Sequence, residues 1–137
     1  MGIKRIRFIV FAFSILLLAW MLYNHFSARY YIQEIKREIR GVVLNKYNTG
    51  HGEFIKISLY NGNILDIPQK NSFLYSYLRK GDEFFKQTND NYCLIVRNGE
   101  TKKFIFVLIP PKARNSFDWP KEWKYKWMDA TEEWKKE

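Results

Sequence analysis

The chain has a single cysteine, Cys93, and only two histidines, His25 and His51. One cysteine can neither close an intramolecular disulfide nor build a thiolate zinc cluster. It lies far from the N-terminal apolar run, so a lipid-modified cysteine anchor is also excluded. Two histidines leave little material for proton transfer or metal ligation. Glycine is sparse, at seven residues, and no glycine-rich loop leads into a helix as a phosphate cradle requires. Gly81-Asp82 comes closest, but it follows a helical pattern; a helix C-cap and a turn account for it. There is no internal repeat and no low-complexity stretch.

What is plentiful is apolar and aromatic. Hydrophobic residues make up 47% and aromatics 18% of the 137 residues, enough for the core of one domain. The net charge is +9, with both signs interspersed. That balance suits a solvated surface as well as an acidic partner.

Residues 8–23 read FIVFAFSILLLAWMLY, without charge, proline or glycine, and Lys4, Arg5 and Arg7 precede them. A spanning helix takes about 20 apolar residues, with a lower limit near 17. Ile6 and a snorkelling Arg7 extend the run far enough, so residues 6–23 are expected to contact a lipid bilayer. Trp20 and Tyr23 stand at the far end, at the level where amphipathic rings prefer the headgroups. A cleaved signal peptide is the rival. Its apolar part would be long, and the best cleavage site, Ala28, has the bulky Phe26 at the −3 position. The anchor is preferred. The leading basic cluster favours a cytoplasmic N-terminus, although Arg29, Lys36, Arg37 and Arg40 nearly balance it.

Beyond the anchor, Ser27 can cap a short connector helix in which Tyr31, Ile35 and Ile39 recur at four-residue spacing. Residues 40–46 read as a strand, and TGHG as a turn. Residues 54–60 alternate, with Ile55, Ile57 and Leu59 on one face. Asn61-Gly62 has the composition of a two-residue hairpin turn, and residues 63–67 return. Asn71 or Ser72 caps a helix with Phe73, Leu74, Tyr77 and Leu78 on one face, and Gly81 ends it. Residues 83–87, 92–97 and 103–109 read as further strands. The last two are nearly continuous apolar runs, which predicts burial on both faces. Short strands at regular spacing, with a helix between the third and fourth, predict a mainly β domain: a small OB-like or SH3-like barrel.

The pattern of Ile39, Gly41 and Val43, then Asn61-Gly62, then Leu74, Tyr75, Tyr77, Gly81, Asp82 and Lys86 resembles small single-pass bacterial membrane proteins with an OB-like or SH3-like barrel domain. The resemblance covers residues 38–109 and implies architecture alone, with no activity and no residue roles.

Candidate chemistry is thin. His51, Glu53 and Asp66 would make a small hydrolase site only if they converged across the hairpin, and their spacing matches no metal-ligand pattern. Cys93 sits inside YCLIV, where a cysteine packs as a small hydrophobe. Phe54, Tyr60, Phe84 and Tyr92 with Lys56, Lys86 and Arg97 would suit single-stranded nucleic acid if they shared a face; that partner is not expected outside the cytoplasm. No catalytic residue, cofactor, metal or small-molecule ligand is predicted.

The C-terminal tail raises a different question. A helix over residues 120–135 would align Trp123, Trp127, Ala130 and Trp134 in one stripe. Burying a large side chain is worth on the order of 2–3 kcal/mol, so the stripe needs a surface to rest on. Its own barrel, the membrane interface and a partner protein compete; packing on its own barrel or connector is preferred, and Trp123, Trp127 and Trp134 are the interaction candidates. Arg7, Trp20 and Tyr23 are the membrane-interface candidates. The expected organisation is an anchor over residues 1–26, a helical connector over 27–37, a barrel over 38–109, a linker over 110–119 and the tail helix. The expected role is a binding or structural component of an envelope assembly, anchored in the bacterial inner membrane with its domain outside the cytoplasm.

Overall fold

The computed structural model describes residues 2–136, apart from the side chains of residues 23–27. The expectations for the side chains of Tyr23, His25 and Ser27 therefore lie outside the described residues.

Helix α1 runs without interruption over Ile3–Lys36, so anchor and connector are one rod, about 50 Å long at helical rise. Ser27 thus lies inside a helix and does not start one. The segment Ile3–Leu22 is long and apolar enough to cross a membrane, and its large hydrophobic side chains are exposed on every side. From Ala28 onward the helix joins the domain core through Ala28, Glu34 and Ile35.

Six antiparallel strands follow: β1 (Ile39–Thr49), β2 (Gly52–Leu59), β3 (Ile64–Pro68), β4 (Glu83–Lys86), β5 (Tyr92–Arg97) and β6 (Glu100–Ile105). Their order across the sheet is β3-β2-β1-β4-β5-β6. Helix α2 (Ser72–Tyr77) lies between β3 and β4, as the sequence suggested. The expected closed barrel is not formed. No ladder joins β3 to β6; instead the Asn71 side chain crosses between the two ends of the sheet. Its Nδ2 donates to the Ile105 carbonyl at 2.7 Å, and its Oδ1 accepts from the Phe73 N–H to cap α2. One side chain replaces a row of ladder bonds and leaves both edges open.

One hairpin corrects a turn assignment. Asn61-Gly62 does not form a two-residue turn. β2 and β3 are joined through residues 60–63, and the Asn61 side chain accepts from the Asn63 N–H. The tight turn is Asn98-Gly99, where both residues have positive φ, 51° and 77°, and Arg97 pairs with Glu100. Both dipeptides have the right composition; the length of the flanking pairing selects which one turns tightly.

The apolar run 104–109 is only partly a strand. β6 stops at Ile105, while Phe106, Val107, Leu108 and Ile109 are buried without a ladder. The Asn91 side chain serves Val107 as a strand would: Nδ2 donates to its carbonyl at 2.9 Å and Oδ1 accepts from its N–H at 3.0 Å. Nor are the strands buried on both faces. β5 alternates, with Cys93 and Ile95 inside and Leu94 outside.

The tail is not one helix. Helix α3 (Pro111–Arg114) is followed by a 3₁₀ turn at Lys121–Trp123, and helix α4 begins only at Met128 and runs to Lys136. Trp127 has φ 53°, a left-handed conformation that stops a helical stripe from continuing through it. Burial of the ring and the Arg114 guanidinium, which donates to the Trp127 carbonyl, hold it there. Trp119, Trp123 and Trp127 join the same apolar core as the inner face of the sheet, α2 and the end of α1.

Candidate functional site

Strand alternation divides the side chains of the sheet into an inner and an outer set. Ile39, Val43, Ile55, Ile57, Phe84, Lys86, Cys93 and Ile95 face the core. The partners Arg40 with Phe85, Phe85 with Leu94, and Leu94 with Lys103 make a row across β1, β4, β5 and β6 on the other face. Arg40, Leu94 and Lys103 are exposed and Phe85 is half-buried. Tyr60 leans on Phe85 with ring centroids 6.2 Å apart, and Lys103 Nζ lies 4.1 Å over the Tyr92 ring. A shallow groove bounded by Arg40, Phe85, Asp90, Tyr92, Leu94 and Lys103 runs along this face. It combines aromatic and aliphatic contact with cations at both ends of the row, the composition of a binding surface.

The same alternation breaks up the stacking platform considered from sequence. Phe84 and Lys86 are buried, so they cannot share a face with Phe54, Tyr60 and Tyr92. Arg97 is committed elsewhere: Nε and Nη2 donate to the two Asp82 oxygens at 2.7 Å each, and Nη2 also reaches the Tyr77 carbonyl at 2.6 Å. Burial pushes the Asp82 carboxyl up, but the Arg97 hydrogen bond, the Arg79 N–H and the neighbouring guanidinium charges outweigh it and bring it below its ordinary value. This network secures the turn after α2.

The hydrolase constellation does not assemble. His51 is exposed in the turn between β1 and β2. Glu53 shares the parity of the inward Ile55, whereas Asp66 pairs with Lys56 on the other face and accepts from the Tyr47 hydroxyl at 2.9 Å. No three metal-ligating side chains cluster among the described residues. Cys93 is fully buried, and burial pushes its thiol up to about 12, which suits packing and not nucleophilic attack.

Of the tryptophan candidates, Trp123 and Trp127 are buried, with ring centroids 5.3 Å apart in an edge contact, and Trp134 is 43% exposed. At the other end, Trp20 is exposed and lines a cleft with Leu17, Met21, Lys112 and Phe117; Arg7 is exposed on the first turns of α1.

Lys86, given no buried role by the sequence, is 2% exposed. Its Nζ donates to the carbonyls of Ile35 at 2.7 Å, Arg37 at 2.6 Å and Gln87 at 3.1 Å. The first two belong to the C-terminal end of α1, where carbonyls lack helical partners and a cation is favoured. Lys86 therefore clamps the long helix to β4. Burial pulls its ammonium down to about 8, against the opposing charges of Asp90 and Glu34. The fixed hydrophobic period of β4 would have identified it as inward-facing, but nothing local marks α1 as the element it caps.

These features define an open antiparallel β domain that follows a long apolar N-terminal helix. No protein-family model, curated protein or solved structure matches the chain.

Proposed function

We propose that the protein is a single-pass component of the bacterial inner membrane that presents its β domain outside the cytoplasm, as a binding or structural part of an envelope assembly. The observation that carries this reading is Ile3–Leu22, an apolar helix whose large side chains the rest of the chain leaves exposed. An uncovered apolar rod of that length is stable in hydrocarbon and a liability in water. The basic residues Lys4, Arg5 and Arg7 at its start support a cytoplasmic N-terminus. The Arg40–Phe85–Leu94–Lys103 row supports a binding role, and the partner it suits is a protein surface offering carboxylates around an apolar patch.

Protease added to spheroplasts expressing the full chain with a C-terminal tag tests the topology. The expected result is digestion of the domain and loss of the tag. Protection in spheroplasts, with digestion in inverted vesicles, would reverse the orientation and remove the envelope role.

A further inference from the structure

The cleft between α1 and the α3 segment is lined by Leu17, Trp20 and Met21 on one side and by Lys112, Asn115, Ser116 and Phe117 on the other, around about 560 Å³. We propose that it seats an anionic phospholipid from the leaflet at the domain end of the span. The inference rests on the reading of Ile3–Leu22 as a membrane span.

Depth is the first argument. Twenty helical residues rise about 30 Å, the thickness of a bilayer hydrocarbon core. Trp20 and Met21 then lie at the boundary between acyl chains and headgroups. Every residue lining the same cleft lies close to that depth, so the α3 segment borders lipid and not bulk water. Composition is the second. The lining is apolar through Leu17 and Met21, while Lys112 contributes a cation and Asn115 an amide. Apolar, amide and cationic groups together suit the acyl chain, glycerol and phosphate of such a lipid. The third is Phe117, which lines the cleft and is 69% exposed. An aromatic ring at the interface has a reason to face outward there.

The fold positions these residues by packing. Ala113 is fully buried in the core, and Arg114 donates to Thr131 and to the Trp127 carbonyl. The short α3 turn is thereby tied to α4, and the next residues are presented toward α1.

The test uses the full chain in nanodiscs, with a nitroxide attached at Phe117→Cys, at Ile15→Cys inside the span, or at Tyr60→Cys on the far hairpin. Cys93 is fully buried, and the unsubstituted chain reports any background labelling. Accessibility to oxygen and to a water-soluble nickel chelate gives depth. Position 117 should read as headgroup boundary, position 15 as hydrocarbon and position 60 as water. As phosphatidylglycerol replaces phosphatidylcholine, the label at 117 should lose mobility, and Lys112→Gln should raise the half-maximal phosphatidylglycerol fraction about fivefold. Water-like accessibility at 117 with hydrocarbon at 15 overturns the lipid site and leaves the span intact. Water at both positions overturns the span reading as well. A boundary position at 117 with no dependence on phosphatidylglycerol or on Lys112 overturns the anionic headgroup.

Discussion

Lys86→Met keeps most of the apolar stem and removes the ammonium that caps α1. Three carbonyls, those of Ile35, Arg37 and Gln87, lose their donor. Each buried acceptor left unpaired costs about 1–3 kcal/mol. The substitution also relieves the burial of a charge. That burial lowers the lysine from 10.5 to about 8, which corresponds to roughly 3 kcal/mol. The net expectation at pH 7 is a loss of about 3 kcal/mol, read as a lower melting temperature by near-ultraviolet circular dichroism of the full chain in detergent. The pH dependence separates the two contributions. Below about pH 8 both folded and unfolded chains hold the Lys86 proton, and the group adds no slope. Between about 8 and 10.5 the unfolded chain holds more of it, so the stability of the native chain rises with pH by up to roughly 3 kcal/mol. Lys86→Met lacks this group, so the gap between native chain and variant should widen across that window. A gap that stays flat from pH 7 to 10 would refute the account of the buried ammonium. Equal melting at pH 7 would refute the clamp.

Gly41 faces Leu59 on β2 and Phe84 on β4, and a Cβ there would meet the Ser58 carbonyl oxygen at 2.3 Å and the Ile57 side chain at 2.8 Å. Gly41→Ala should therefore destabilise the sheet by about 1–3 kcal/mol, seen as a lower urea midpoint; an unchanged midpoint would mean that the two strands are not so close. Trp123→Ala should cost about 3–5 kcal/mol because the ring is 4% exposed, whereas Trp134→Ala at 43% exposure should change the melting temperature little. If both variants melt alike, the tail does not share the core.

How much could be read beforehand varies by element. The apolar N-terminal run, the alternation of Ile55 and Ile57, the Asn71 cap and the helix between the third and fourth strands were visible because each is a local pattern of spacing or capping. The row of Arg40, Phe85, Leu94 and Lys103 was not, because its members come from four strands and meet only through register. Gly41 falls inside the expected strand 40–46; its constraint is the closeness of β2, which no neighbour in the chain announces.

The sequence by itself determined a long apolar helix leading into a mainly β domain, since hydrophobic period and uninterrupted length act over a few neighbouring residues. Tertiary structure alone decided three things. The sheet stays open because Asn71 satisfies the Ile105 carbonyl where another strand would have paired. The tryptophan stripe breaks at Trp127 because packing Trp119, Trp123 and Trp127 into one core outweighs continuing a helix. Lys86 turns inward because the carbonyl-rich end of α1, 51 residues earlier, arrives beside β4. In each case the deciding partner is remote in the chain, and burial makes an unpaired polar group too costly to leave to solvent.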